Sequence, residues 1–279
     1  MKKILTIGAI IAMSIAGAVQ ASDYKKITVA TEGAYAPWNY KDSAGKLIGF
    51  ELDLARDLCS RMKVECTIVE QAWDGIIPSL QQGKYDVIMA GMSITDKRMK
   101  VISFSRSYAQ TPASFVVTKS SKSAMFKAGI DRIDLTEVSA AEKAGIAAVV
   151  SEFKGKTIGV QTATTHENFL REYLGKDVTI RTYDTQENLD LDLQAGRVDA
   201  ALASASYWVP LLKSGKGSDM AMVGPGMVGG PFGHGVGAGI RQKDPALKAM
   251  FTKAIQSAID DGTIKKMAVQ WFGFDASAK

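Results

Sequence analysis

The chain has 279 residues, 46% of them hydrophobic, enough for one large domain or two ordinary ones. Its 34 Lys and Arg against 29 Asp and Glu give a net charge of +5, too small and too dispersed to direct it to nucleic acid or an anionic membrane surface. His166 and His234 are the only histidines and Cys59 and Cys66 the only cysteines, so no metal cluster, nucleophile–histidine pair or paired catalytic carboxylates stand out.

Lys2 and Lys3 precede an apolar run at 4–19, and Ala18-Val19-Gln20-Ala21 has the small-residue pattern of a cleavage site. This is the layout of an export signal over 1–21, cleaved after Ala21. A membrane anchor is the rival assignment, but Thr6, Gly8, Ser14 and Gly17 interrupt the run. No Cys follows it, which argues against a lipoprotein. Residues 22–279 then carry 32 basic and 29 acidic side chains, with no further segment apolar enough to span a bilayer.

Residues 26–31 alternate as a strand and lead into a Gly/Pro loop rich in aromatics at 32–38. A hairpin-like turn is expected at 42–46, an amphipathic helix at 50–62, a strand at 66–69 and a helix at 73–82. In an oxidising compartment Cys59 and Cys66 form a disulfide tying that first helix to the following strand; neither histidine lies near enough in sequence to favour a metal site. The chain then repeats itself: Leu80-Gln81-Gln82-Gly83-Lys84-Tyr85-Asp86 and the apolar run to Ala90 recur 113 positions later from Leu193 to Ala203. Each copy reads as a helix end stopped by Gly, a tight turn and a short buried strand.

Thr95 fits an N-cap with Asp96 in the first turn. Two β-rich runs at 101–118 carry the chain out of a first lobe, and 119–153, with only a weak helical period at 139–153, is expected to be an exposed insertion. A strand at 156–161, a capping box at Thr164-Thr165-His166-Glu167 opening a helix to 174, a strand at 178–183, a helix at 186–195 and a strand at 198–203 build a second β-α-β-α-β run. A Gly- and Pro-rich stretch from 224 precedes a strand at 236–240 and helices at 245–261 and 263–272. Two similar runs plus a returning tail imply an α/β protein of two lobes joined by a two-strand hinge, the first lobe from 22–112 and 234–279 and the second from 113–233. Such sheets bind ligands beyond the carboxyl ends of their strands. Chemistry is therefore expected after each repeat, at Gly91-Met92-Ser93 through Arg98 and at Ser204-Ala205-Ser206-Tyr207-Trp208.

Four segments carry a family resemblance: Gly33-x-Tyr35-Ala36-Pro37-Trp38, Gly49-Phe50-Glu51-Leu52-Asp53-Leu54, Gly91-Met92-Ser93-Ile94-Thr95-x-x-Arg98, and Asp261-Gly262-Thr263 to Trp271-Phe272-Gly273. Together with the Cys59/Cys66 spacing they resemble, in order along nearly the whole chain, the periplasmic amino-acid-binding proteins of ABC importers, solute-binding protein family 3. The stretch at 119–153, Gly159-Val160-Gln161 to His166-Glu167, and Leu202-Ala203-Ser204 are most similar to its opine branch, the octopine- and nopaline-binding proteins. The resemblance implies a type II periplasmic-binding-protein fold, each lobe a central sheet flanked by helices, and a periplasmic monomer. It implies a small-molecule ligand and an inner-membrane permease as partners, no nucleic acid, no catalysis, no cofactor and no metal. An enzyme on the same scaffold, like the periplasmic dehydratases that resemble this family, is the weaker alternative; a sensor presenting ligand to a membrane receptor would use the same site.

Arg98 is the expected carboxylate clamp, since its guanidinium presents a bidentate fork and stays charged; the alternative is a solvated arginine beside Lys97 and Lys100. Ser93 and backbone N–H groups of the Thr95 turn are expected to point at the same spot. Thr164 and Thr165 are expected to reach that carboxylate from the second lobe, or only to cap their helix. Glu32, just past the first strand, is expected to meet a cationic ligand group, with Trp73 and Tyr35 or Trp38 as aromatic faces unless these are core. Ala90 and Gly91, where relatives often carry serines, leave room for a bulkier ligand, and Met92, Gln161 and His166 complete the expected site. Relatives for ordinary amino acids usually place an Asp at the position of Ser204, where it pairs with the ligand's α-ammonium. A neutral serine there favours an arginine-derived opine, whose second carboxylate lies beside its secondary amine, over free arginine, lysine or ornithine.

Overall fold

Residue patterning accounts for the first lobe element by element. In the computed structural model, which describes residues 24–278, β1 (Lys26–Thr31) alternates and then ends fully buried. The expected export signal lies outside the described residues. Strands β2 (Ala34–Tyr35), β3 (Asn39–Lys41) and β4 (Leu47–Ile48) form a small separate sheet. Asp42 closes its hairpin by accepting from Ala44 N and Lys46 N, both at 2.9 Å. Helix α1 (Phe50–Met62) begins after Gly49, which holds φ at +132°. A Cβ at that position would come within 2.5 Å of the Trp38 carbonyl oxygen, so only glycine fits. The disulfide Cys59–Cys66 joins the end of α1 to β5 (Glu65–Glu70), closing a loop worth about 2.5 kcal/mol in the chain-entropy account.

The helix expected at 73–82 is split: a 3-10 turn at Trp73–Gly75 leads into α2 (Ile76–Gln81). Pro78 lacks the N–H that would bond the carbonyl of Asp74, so the α-helix does not extend upstream. Next come β6 (Val87–Ile88), α3 (Asp96–Met99) and β7 (Ser103–Ala109), after which residues 110–112 cross to the second lobe. That lobe holds β8 (Ala113–Thr118), β9 (Arg132–Asp134), α4 (Ala140–Phe153), β10 (Thr157–Gln161), α5 (Thr165–Phe169), β11 (Thr179–Tyr183), α6 (Gln186–Gln194), β12 (Ala200–Ser204), α7 (Ala205–Lys213) and β13 (Met220–Val228). Residues 229–235 return the chain to β14 (Val236–Ile240), and α8 (Pro245–Asp260) and α9 (Thr263–Phe272) close the first lobe.

Both sheets follow one scheme. The first runs β5-β1-β6-β14-β7 and the second β11-β10-β12-β8-β13-β9. In each the first strand of the β-α-β-α-β run, β1 or β10, lies between two parallel neighbours, and the third strand of that run pairs antiparallel with a strand that has crossed between lobes. The repeated sequence supplies the third strand both times, β6 and β12.

Three expectations need correction. The stretch 119–153 is not an exposed insertion: β9 pairs with β13 as an edge strand, and Ile133, Leu135, Val149 and Phe153 are buried in the second lobe's core. Its helix α4 is so rich in alanine that no polar and apolar faces separate, which hid the burial. The capping box at Thr164 is half made: Thr164 accepts from Glu167 N at 3.1 Å, but Glu167 reaches past it to Ala163 N at 2.6 Å. Finally, β13 runs through Gly224-Pro225-Gly226, because a register shift between Val223 and Met227 lets the ladder skip the proline.

Replacing Phe153 with alanine should destabilise the protein by about 3–5 kcal/mol in chemical denaturation, as for a large core truncation. A change within about 0.5 kcal/mol, the surface range, would restore the exposed insertion.

Candidate functional site

The ends of β1 and β10 meet across the cleft. Glu32, the residue after β1, is 5% exposed and accepts a 2.5 Å hydrogen bond from Gln161 Nε2, at the last position of β10. Burial, with Glu51 and Glu187 nearby, pushes the Glu32 carboxyl up to about 7 despite that bond. Among the described residues no Lys or Arg forms an ion pair with it.

Beneath this point Glu51, on the first turn of α1, is buried and fully bonded. It accepts from Asn39 Nδ2 at 2.7 Å, from Gly91 N at 2.7 and 2.9 Å, and from the Tyr108 hydroxyl. Gly91 holds φ +60°, a glycine conformation, which turns its N–H inward to Glu51. This carboxylate locks the loop after β6 to α1. The sequence motif around it was visible, but its supporting role was not.

Arg98 sits at the third position of α3, its N–H donating to the capping Thr95 Oγ1 at 3.2 Å. Its guanidinium donates to Ser93 O at 3.0 Å and, across the cleft, to Ala163 O at 3.3 Å, and lies 5.2 Å from the Trp73 ring centroid. Burial lowers Arg98 to about 10, so it stays charged at neutral pH. No carboxylate pairs with it among the described residues. Ser93 lines the same cleft as Arg98, which also uses its carbonyl, and the capping turn α3 is a single four-residue turn. Ala163 holds φ +55°, a left-handed conformation costing about 1–2 kcal/mol for a residue with a Cβ. That strain aims its carbonyl at Arg98.

Trp73 crosses the cleft too, its Nε1 donating to Thr162 O at 3.0 Å. Thr164 is committed to its cap: the hydroxyl donates to Gln161 O at 2.7 Å and accepts from Glu167 N. Thr165 lines the cleft beside it. His166 has its Nε2 3.5 Å from Ser204 Oγ, and burial together with Arg98 presses the imidazole down to about 3, leaving it neutral. Ser204 N donates to the Tyr35 hydroxyl at 3.4 Å, and the Tyr35 ring stacks on Tyr207 at 4.9 Å.

One cleft is lined by Glu32, Tyr35, Trp38, Trp73, Ala90, Gly91, Ser93, Arg98, Gln161, Thr164, Thr165, His166 and Ser204, with Gln186 and Val236. Met92 is not among them; it is buried in the hydrophobic cluster behind β6. Trp38 touches the cleft but is 1% exposed, packs on Phe50 and Phe272, and donates to Ser206 Oγ at 2.9 Å. Gln186, the first residue of α6 and three residues past the end of β11, went unrecognised in the sequence; its Nε2 donates to buried Asp190 at 3.0 Å. Among the described residues no group of three or more His, Cys, Asp or Glu is placed to hold a metal ion.

The family model of the bacterial extracellular solute-binding proteins, family 3, matches residues 27–274. The octopine-binding periplasmic protein of Rhizobium meliloti is 43% identical, covering 95% of this chain and 96% of that protein. The histidine-binding periplasmic protein of Salmonella typhimurium is 36% identical, covering 99% and 98%. Among solved structures, a periplasmic His/Glu/Gln/Arg/opine family-binding protein from Silicibacter pomeroyi in complex with lysine superposes with a TM-score of 0.73 at 33% identity, over 91% of this chain and 100% of that one. An ancestral amino-acid-binding protein, a precursor of cyclohexadienyl dehydratase, superposes with a TM-score of 0.72 at 28% identity, over 89% and 96%.

Glu32 carries a pH signature. Its folded pKa of about 7 lies above its ordinary 4.5, so between these values the folded protein holds a proton that the unfolded chain has released. Stability should therefore be greatest at the acid end of that window, fall as pH rises from about 4.5 to 7, and level off above, by about 3 kcal/mol for this group. Asp190, also raised to about 7 by burial, adds to the fall. Denaturation of ligand-free protein at pH 5 and pH 8 should show a shallower decline in Glu32→Gln than in the parent; parallel declines would remove Glu32 as the cause.

Proposed function

The chain belongs to the bacterial extracellular solute-binding proteins, family 3, and from that premise we propose that it captures an arginine-derived opine of the octopine or nopaline type between its two lobes. The observation that carries the proposal is a pair of uncompensated charges in one cleft. Among the described residues Arg98 meets only carbonyl oxygens and an indole, and Glu32 only an amide. A ligand with a carboxylate at one end and a guanidinium at the other satisfies both, and Trp73 offers its face to the cationic portion. Ser204 stands between them without charge. An opine suits that neutrality because its secondary ammonium has a carboxylate of its own beside it. The octopine-binding relative supports the same ligand class.

In this proposal the first lobe comprises 22–112 and 234–279 and the second 113–233, and 110–112 and 229–235 act as the hinge. Ligand replaces the direct contacts between Glu32 and Gln161 and between Arg98 and Ala163, and the liganded closed form is what an inner-membrane ABC permease receives. The protein works as a monomer in the periplasm after cleavage of an export signal at 1–21. The lysine complex of a similar protein favours a second reading, capture of free basic amino acids. The dehydratase precursor keeps an enzyme on this scaffold as a remoter one, and the neutral His166 and the bonded Glu51 offer it no acid–base pair.

Calorimetric titration with octopine, nopaline, arginine and ornithine decides between these. An opine should bind tightest; tight arginine binding with no response to either opine would overturn the role given to Ser204. Arg98→Ala should weaken the preferred ligand about 30-fold or more, because breaking a buried charge pair costs about 2–5 kcal/mol. Unchanged affinity in a folded Arg98→Ala protein would remove Arg98 as the clamp.

A further inference from the structure

Behind the cleft wall lies a buried carboxylate that the binding scheme does not use. Asp190 stands one helical turn after Gln186 on α6, is 8% exposed and does not line the cleft. Among the described residues no Lys or Arg pairs with it. Two hydrogen bonds meet its charge instead, from Gln186 Nε2 to Oδ1 at 3.0 Å and from the Tyr207 hydroxyl to Oδ2. A desolvated carboxylate without a cation is costly, and a neutral side chain would occupy this place with a smaller penalty. Both of its partners lead to the ligand. Gln186 lines the cleft, and Tyr207 stacks at 4.9 Å on Tyr35, which lines it too.

An ionised carboxylate only accepts hydrogen bonds, so it dictates the orientation of the groups it touches. Gln186 has to turn its NH2 group to Asp190, which leaves its amide oxygen, Oε1, for the cleft. That oxygen accepts no hydrogen bond from any described residue. The start of α6 is tied to the same corner as Glu32: Gln161 Nε2, which donates to Glu32, also donates to Asp184 O at 3.1 Å. An acceptor and an acid thus stand together where a cation rich in N–H groups would end. A neutral amide in place of Asp190 loses this control. It can donate to Gln186 Oε1, and Gln186 is then free to turn its NH2 group to the cleft, where it opposes a cation.

We propose that Asp190 is a positioning residue for ligand selection. It holds the Gln186 amide with its oxygen toward the cleft, as a further acceptor for the N–H groups of the ligand's cationic end, and it steadies Tyr207 beneath Tyr35. The proposal rests on the reading that a guanidinium lies at Glu32. It makes the preference for a cation depend on a residue that the ligand never touches.

Calorimetric titration at pH 8, where Asp190 and Glu32 (each pushed up to about 7 by burial) are ionised, tests this with octopine and its ureido analogue, in which a neutral ureido group replaces the guanidinium. Asp190→Asn should weaken octopine about tenfold while changing the analogue less than about threefold, the effect of losing one hydrogen bond to a charged group. In a Gln186→Ala background the same substitution should leave the ratio of the two affinities unchanged within about twofold, because the coupled partner is gone. Parallel loss of both ligands, or unchanged octopine affinity in folded Asp190→Asn, overturns the positioning role and leaves the opine reading intact. Should thermal melting show Asp190→Asn unfolded, Gln186→Ala decides alone: an unchanged preference for octopine over the analogue overturns the proposal. If octopine does not bind the parent, the opine reading falls by itself, and arginine against citrulline carries the same comparison. If arginine does not bind either, this inference falls with it.

Discussion

A cation and an acid held in one desolvated cleft, with no charged partner for either among the described residues, are the constraint around which the rest is arranged. Removing Glu32 and Arg98 from water is costly unless hydrogen bonds replace their hydration. The protein supplies substitutes on both sides. Gln161 donates to Glu32, and the Ser93 and Ala163 carbonyls accept from Arg98. Glu51, by contrast, is saturated by Asn39, Gly91 and Tyr108, and so serves the frame rather than the ligand. The left-handed Ala163 fits this arrangement, since local strain is tolerated where it directs a polar atom into a site.

Duplication of the sheet explains how residues distant in sequence come to face one another. Each lobe ends its first and third strands at the cleft, so Glu32 opposes Gln161 and the loop carrying Arg98 opposes the segment carrying Ala163. The interlobe hydrogen bonds of Trp73, Gln161 and Arg98 end on groups that a ligand can displace. Others do not. Trp38 donates to Ser206 deep in a hydrophobic cluster shared by both lobes, and Tyr35 stacks on Tyr207.

The first joining segment is held by the C-terminal residues: Gln110 N donates to Ala276 O at 2.9 Å, and beside it Ala278 N donates to Tyr108 O at 3.1 Å.

Much of this was legible in the chain. Periodicity located α1, β1, β10, α8 and α9 because each has a clear buried face, and the repeat at 80–90 and 193–203 marked the strands that lead into the cleft. Residue chemistry made Arg98 and Glu32 candidates, and the family resemblance set them above a solvated surface arginine and an ordinary acid after a strand. Position in the cleft was another matter. Met92 and Ser93 are neighbours in sequence, yet one lies in the core and the other lines the cleft, because alternation at a strand end is decided by what packs above and below. The burial of α4 was hidden by its alanines, and Gln186 was hidden because a glutamine at a helix start carries no signal by itself. Sequence determined the frame and the charges, since these follow from local pattern and side-chain chemistry; only the tertiary structure decided which groups share a cavity, since that depends on how the lobes close.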